Sequence, residues 1–296
     1  MGAPTYTLAD PEQGWIDDIV DIDRYPIHRP QSPAWLAAVD RARASLADDG
    51  CVVLDGFIAS HVLEQARFEL AAVAPKAHIR PWSSSVYARS DAERDLPVDD
   101  PRRMQFDNLL GHVTRDQIAP DTLLARLYVS PIFKHFIAVC VNEDRVFEYA
   151  DPLAGLIATI IPPGGCKAWH YDTNEYVITL MTQQGDEGGD FDYCPNLRTA
   201  GDENLDGLGR VLVDEPADTI VRKSLRPGDL QIFLGRYSLH RVSEVRGQTE
   251  RHVAVLSYAN RPGVIGPVDR TRAVYGRVTE AHLIAEAMTA PDGLIA

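Results

Sequence analysis

Two histidines, one aspartate and one arginine carry the chemistry that can be read in this chain. His170-x-Asp172 lies in the stretch KAWHYDTNEYVITLMTQ, His240 ends PGDLQIFLGRYSLH, and Arg251 follows in the next apolar run. Alternate residues of a β-strand project to one face, so an imidazole and a carboxylate at i and i+2 can converge on one metal ion. Two histidines and one carboxylate make the facial triad of non-haem Fe(II) sites, which leaves three adjoining positions open. Two of these suit a chelating 2-oxo acid and the third suits O2. The far carboxylate of the 2-oxo acid then needs a cation. Arg251 is the candidate, because a guanidinium grips a carboxylate through two parallel hydrogen bonds, and Arg246 is its rival. An isolated His-x-Asp is a weak signal in a chain with nine histidines and 43 acids. The setting strengthens it: His170 follows a Gly-rich turn, and His240 follows Pro-Gly-Asp and a hydrophobic strand.

Such residues need strands to hold them. From Arg145 to Pro262 the chain alternates short β-branched or aromatic runs with turns: LIATII, YVITLMTQ, FDYCPNL, ADTIVRKSL, LQIFLG and HVAVLSYAN. Gly201 to Asp206 reads as a polar loop within this series. Short strands with regular turn punctuation predict a jelly roll or barrel. Before it, residues 1–32 read as an extended arm. Pro33–Asp49 reads as a helix with Ser32 as its cap and Gly50 as its stop, and Cys51 opens a buried strand. Ser60–Val73 reads as a second amphipathic helix, and 120–142 as two helices broken at Pro131. Residues 76–118, polar and holding Pro97, Pro101, Arg102 and Arg103, read as a lid or binding loop. Glu280–Met288 reads as a last helix. The expected fold class is mainly β with flanking helices around a jelly-roll core. It forms one domain, with a mostly helical part and lid (1–144), the core (145–262) and a C-terminal extension (263–296).

Composition excludes more than it selects. A net charge of −14 argues against a general nucleic-acid binder, since phosphate contacts need an excess of Lys and Arg. It is compatible with attraction of cationic or zwitterionic ligands. The four cysteines form no CxxC pair, which fits reduced thiols rather than a disulfide framework or zinc site. No secretory signal and no run of about 18 apolar residues is visible, so the expected setting is cytoplasmic, without membrane partners. Oligomeric state is open.

Other side chains near the motifs are candidates for lining the pocket. Alternation places Asn174 on the face of His170 and Asp172, with Trp169, Tyr171 and Thr173 on the other. Glu175 flanks them. Asn196 and Arg198 can reach a barrel mouth, Arg198 toward a substrate carboxylate, as can Arg102 and Arg103 from the lid. Glu148 and Asp151 suit either a substrate amine or a turn. Cys166 and Cys194 read as buried thiols.

The pattern His170-x-Asp172, His240, Arg251 resembles the Fe(II)/2-oxoglutarate-dependent dioxygenases, built on the double-stranded β-helix, a jelly-roll and cupin relative. WHYDTNEYVITLMTQ, EGGDFDYCPNLR and PGDLQIFLGRYSLHRVSEV resemble more narrowly the branch that hydroxylates or halogenates free amino acids. The resemblance covers residues 145–262 and implies His170, Asp172 and His240 as iron ligands and Arg251 as the 2-oxoglutarate clamp. Halogenases of that branch have Gly or Ala where Asp172 stands, so the resemblance is to the hydroxylating members. It implies Fe(II), 2-oxoglutarate and O2, and a small amino-acid-like substrate, as in natural-product biosynthesis. The same triad also serves desaturation and ring formation. A cupin-like metal enzyme or a binding module without 2-oxoglutarate is the alternative.

Overall fold

The computed structural model describes residues 11–87 and 96–288. The first ten residues of the expected arm and residues 88–95 of the expected lid lie outside the described residues.

The arm is not extended throughout. Helix α1 (Pro11–Ile19) places Ile16 and Ile19 in the core, and Trp15 lies under the Arg126 guanidinium at 4.7 Å. Apolar residues at 15, 16 and 19 keep helical spacing among the acids, so one face can be buried. Helix α2 (Pro33–Asp49) forms as the sequence predicts. Ser32 Oγ accepts the Trp35 amide, Pro33 takes the first turn, and Gly50 closes it at φ 75. Strand β1 (Cys51–Leu54) and helix α3 (Leu63–Val73) follow, the latter entered through a 3-10 turn at Ser60–Val62.

Residues 76–118 depart most from expectation. Strands β2 (Arg80–Ser84) and β3 (Phe106–Val113) pair antiparallel, and β3 joins the main sheet. Pro81 is tolerated because β2 is an edge strand with no further neighbour, where a missing amide costs no ladder bond. Between these strands the described part of the expected lid is the stretch 96–105, irregular apart from a 3-10 turn at Pro101–Arg103. Helices α4 (Leu123–Val129) and α5 (Pro131–Cys140) break at Ser130, whose hydroxyl accepts the Phe133 amide at 3.2 Å.

The core strands are β4 (Phe147–Glu148), β5 (Leu156–Ile161), β6 (Lys167–His170), β7 (Val177–Gln183), β8 (Glu187–Gly188) and β9 (Phe191–Cys194). After helix α6 (Leu205–Asp214) come β10 (Val221–Lys223), β11 (Leu230–Phe233), β12 (Leu239–Val242), β13 (Val245–Arg246), β14 (Arg251–Leu256) and β15 (Tyr258–Ala259). A seven-stranded sheet runs β1-β11-β7-β14-β5-β3-β2 and a four-stranded sheet runs β10-β9-β12-β6. All their pairings are antiparallel, and the two sheets form the double-stranded β-helix. The large sheet therefore takes three strands from before residue 145, ahead of the expected core boundary.

Strand alternation sorts the side chains. Ala158, Ile160, Ile178, Leu180, Ala254 and Leu256 pack outward against Trp35, Leu70, Phe133 and Phe136 of the helices. Met181, Val253 and Phe233 point inward and meet Phe191 and Tyr193 of the small sheet. Helix α6 replaces part of the expected polar loop. Asn204 caps it, and Leu208, Val211 and Leu212 cover the small sheet at Trp169, Tyr171, Cys194 and Leu239. Its apolar face is spaced i, i+3, i+4, but Gly207 and Gly209 mask it in the sequence. Helices α7 (Val268–Tyr275) and α8 (Glu280–Ala287) complete the described chain. Among the described residues no single helix is long and apolar enough to cross a membrane.

Candidate metal centre

His170 ends β6 and His240 lies in β12, and the two are direct cross-strand partners. They are neighbours in one sheet, not residues on opposed strands. Their ring centroids are 4.0 Å apart. Asp172 stands just beyond the end of β6, where the Gly235 carbonyl accepts its amide at 3.0 Å. Its carboxylate lies between the rings, Oδ1 at 3.7 Å from His170 Nε2 and Oδ2 at 3.4 Å from His240 Nε2. The three side chains offer ligand atoms all within 4.8 Å of one another. An octahedral cation with bonds of about 2.1 Å needs adjacent ligand atoms about 3 Å apart, so small side-chain rotations suffice to close the site.

Each ring is also held in the tautomer a metal needs. His170 Nδ1 lies 2.8 Å from the Ala168 carbonyl, and His240 Nδ1 lies 3.0 Å from the Ser238 carbonyl. A carbonyl only accepts, so each Nδ1 carries the proton and each Nε2 presents a lone pair. Burial, with His240 and Lys167 close by, pushes His170 well below the usual histidine range and keeps it neutral. Burial pushes the Asp172 carboxyl up, but His240, His170 and Lys167 outweigh it and hold it below the usual carboxylate range. Phe233, at 4.8 Å from the His240 ring, and Phe191, at 5.7 Å, wall the site with carbon. Two imidazoles whose Nε2 atoms face an ionised carboxylate in an apolar cradle fit a divalent cation.

Arg251 opens β14 on the same face as Val253, which packs with Phe191 and Phe233. It is 5% exposed. Its Nε donates to the Gly189 carbonyl at 2.9 Å. No carboxylate among the described residues lies within ion-pair distance of it. Burial lowers its pKa to about 10, partly offset by Asp190, so it is charged at neutral pH. A buried cation without an anion is costly, and an anionic ligand would remove that cost. Gly189 makes room for it, since a Cβ there would stand 2.9 Å from Arg251 Cδ. The rival, Arg246, is exposed and pairs with Glu187 at 3.4 Å.

The remaining candidates divide. Asn174 stays near the triad, its Oδ1 accepting from the Tyr149 hydroxyl at 3.1 Å. Trp169 and Tyr171 pack on the other side, against α6; Thr173 and Glu175 are exposed. Arg198 is committed elsewhere: it stacks 3.8 Å over Tyr171 and pairs with Glu203 at 3.0 Å. Asn196, at φ 46, serves a turn and donates its amide to Ser238 Oγ at 3.0 Å. Arg102 forks onto Asp100 at 2.8 and 2.6 Å, and Arg103 donates to the Leu96 carbonyl at 2.9 Å. These three arginines thus have local partners, because each lies within a few residues of a carboxylate or free carbonyl. Asp151 stabilises a turn, accepting the Leu153 and Ala154 amides. Glu148 pairs with Arg115 and Lys134. The Cys194 thiol is buried and pushed up to about 12, and the Cys166 thiol donates to the Asp107 carbonyl.

One group was missed. Lys167, three residues before His170, is lowered by burial, and its Nζ lies 5.3 Å from the Trp82 ring. It forms no ion pair among the described residues. Beside it on the same wall is His112, whose Nδ1 lies 3.1 Å from Thr159 Oγ1. A lysine in a short strand that also carries a metal-ligand motif was the signal available.

A family model described as Halogenase D matches residues 36–271. No curated protein matches the chain. Similar solved structures include the non-heme alpha ketoglutarate dependent carbocyclase SnoK from nogalamycin biosynthesis. It is 15% identical with a TM-score of 0.52, over 81% of this chain and 92% of that one. An oxidoreductase of the 2OG-Fe(II) oxygenase family from Burkholderia pseudomallei is 15% identical with a TM-score of 0.49, over 76% and 92%. A prolyl hydroxylase from Trichoplax adhaerens, solved with a hypoxia inducible factor peptide, is 13% identical with a TM-score of 0.49, over 78% and 94%. At these identities the likeness is one of fold.

Proposed function

The chain belongs to the Halogenase D family, and from that membership we propose that it is an Fe(II)/2-oxoglutarate-dependent oxygenase that hydroxylates an unactivated C–H bond of a small amino-acid-like substrate. The observation that carries this reading is Asp172 standing between His170 and His240 in the same barrel as a buried arginine without an acidic partner. When bound, Fe(II) with 2-oxoglutarate and O2 supplies oxidative decarboxylation to succinate and CO2, and with it an oxidant able to take hydrogen from an unactivated C–H bond.

The chain's own residues do the rest. His170 and His240 present Nε2 atoms oriented by the Nδ1–carbonyl contacts, and Asp172 presents the anion that balances cation charge. Asp172 also fills the position that a halide would need, which favours hydroxylation over halogenation. Arg251 takes the distal carboxylate of 2-oxoglutarate in two parallel hydrogen bonds. Lys167 offers a second cation suited to a substrate carboxylate. Phe191 and Phe233 keep water from the metal side of the pocket and strengthen each electrostatic contact there.

The test has two stages. Anaerobic addition of Fe(II) and 2-oxoglutarate is expected to give the weak visible charge-transfer band of the chelate in wild type, and a weakened or shifted band in Asp172→Ala. Free amino acids are then screened in chloride-containing buffer for substrate-dependent succinate release, with product mass measured. Gain of one oxygen supports the proposal. Gain of chlorine would overturn the role given to Asp172, and loss of two hydrogens would move the reading to desaturation or ring formation.

A further inference from the structure

The turn after β11 is built around the carboxylate at 172. Gly235 receives the Asp172 amide on its carbonyl at 3.0 Å, and the Arg236 guanidinium donates to the Thr173 carbonyl at 3.1 Å. Residues 235 and 236 therefore clasp the segment just after β6, which no strand pairing holds at that point. Gly235 is not among the positive-φ glycines, so its backbone does not require glycine. Its space does. A Cβ at 235 would stand 1.9 Å from Asp172 Oδ2, 2.7 Å from its Cγ and 3.0 Å from its Cβ. Carbon atoms in contact lie about 3.5–4.0 Å apart.

We propose that Gly235 is the positioning residue for the Asp172 carboxylate: the missing side chain at 235 is the space in which that carboxylate stands between the two histidines. Two responses to a methyl group are open. The Asp172 side chain can swing away, which takes Oδ2 from its place 3.4 Å from His240 Nε2. Alternatively the turn can move, which breaks the Gly235–Asp172 clasp. Rotation about Cα–Cβ of Asp172 clears the contacts to Oδ2 and Cγ, and the remaining 3.0 Å contact to its Cβ asks for a backbone shift of only a few tenths of an ångström, so Gly235→Ala keeps the fold and misplaces the carboxylate. The metal role of the pair rests on the triad being the metal site; the steric coupling of 235 to 172 does not.

The test is a cycle of wild type, Gly235→Ala, Asp172→Gly and the double variant. Metal-free proteins are compared by thermal unfolding, and metal binding is followed anaerobically through the Fe(II)–2-oxoglutarate band and by Co(II) titration. Gly235→Ala is expected to unfold cooperatively near the wild-type temperature. Its metal affinity is expected to drop on the order of tenfold to a hundredfold, the range for lost support of a metal ligand, with a shifted band. Any loss of melting temperature from Gly235→Ala is expected to vanish when Asp172 is glycine. Wild-type metal affinity and band in Gly235→Ala would overturn the proposal. So would an equal melting loss in both backgrounds, which would mark Gly235 as a structural glycine only. Wild type that binds no metal would sink the reading of the triad, and the metal-free cycle would still decide whether Gly235 sets the place of the carboxylate.

Discussion

At the scale of the residue, the decisive contrast is between arginines paired with a carboxylate and a buried one that, among the described residues, has no such pair. Arg102, Arg198 and Arg246 each meet a carboxylate, whereas Arg251 is buried with a single carbonyl. Arg251→Lys keeps the charge but loses the fork. Its expected result is a 2-oxoglutarate KM raised on the order of tenfold, about 1.4 kcal/mol by the affinity relation, with the metal site intact in Co(II) titration. His112 supplies a pH prediction. Burial, with Lys167 and Arg80 nearby, pushes it down to about 3, while the unfolded chain titrates near 6.5. The folded state refuses a proton that the unfolded state accepts, so its contribution to stability is present above about pH 6.5 and is lost as pH falls toward 3. Relative to His112→Gln, wild type is expected to lose up to about 1.4 kcal/mol per pH unit in that window, measured by urea unfolding at pH 7, 6 and 5. That His170, Asp172 and His240 lie together was legible because spacing and turn signals are local, although Asp172 stands beyond the end of β6, where strand alternation no longer applies. Lys167 and Gly235 were not, because their meaning depends on Trp82 and Asp172, which the chain brings beside them only on folding.

At the scale of the element, caps and breaks were read well and long polar intervals poorly. Ser32 acts through its capping hydroxyl, Gly50 through a left-handed φ and Pro131 through its ring-fixed φ, all local effects, so α2, α4 and α5 appear where the sequence puts them. Strands β2 and β3 were hidden because an edge hairpin tolerates proline and charge, and α6 was hidden by its glycines. The C-terminal helices show how such elements are held. His282 and Asp151 are fully buried and 3.0 Å apart, and His282 also meets the Thr279 cap, tying α8 to the loop before β5. Removing the imidazole deprives the buried Asp151 carboxylate of one of its hydrogen-bond partners, at a cost of about 1–3 kcal/mol. His282→Ala is therefore expected to raise amide hydrogen exchange in α7 and α8 while β7, β11 and β14 stay protected. Equal loss of protection throughout would mean that these helices do not unfold as a separate unit.

At the scale of the whole molecule, overall charge and site charge have opposite signs. The chain carries −14, yet Arg251 and Lys167 stand in the barrel without acidic partners among the described residues, so net charge is no guide to the ligand. The fold class was legible from turn-punctuated strands, and so was β1 at Cys51, but the full composition of the large sheet was not, since β2 and β3 come from the part expected to be lid. Ligand linkage gives a global prediction. A metal and 2-oxo acid that bind only the folded state add about 2.7 kcal/mol at a hundredfold excess over Kd. Co(II) with 2-oxoglutarate is therefore expected to raise the melting temperature, and Asp172→Ala to reduce the rise. The pairing of β1 with β11, Cys51 opposite Phe233, has a consequence for synthesis. The first strand leaves the ribosome long before its partner exists, and the metal pocket has no second histidine until residue 240 is made. The three candidate ligands can meet only after most of the polypeptide has been translated.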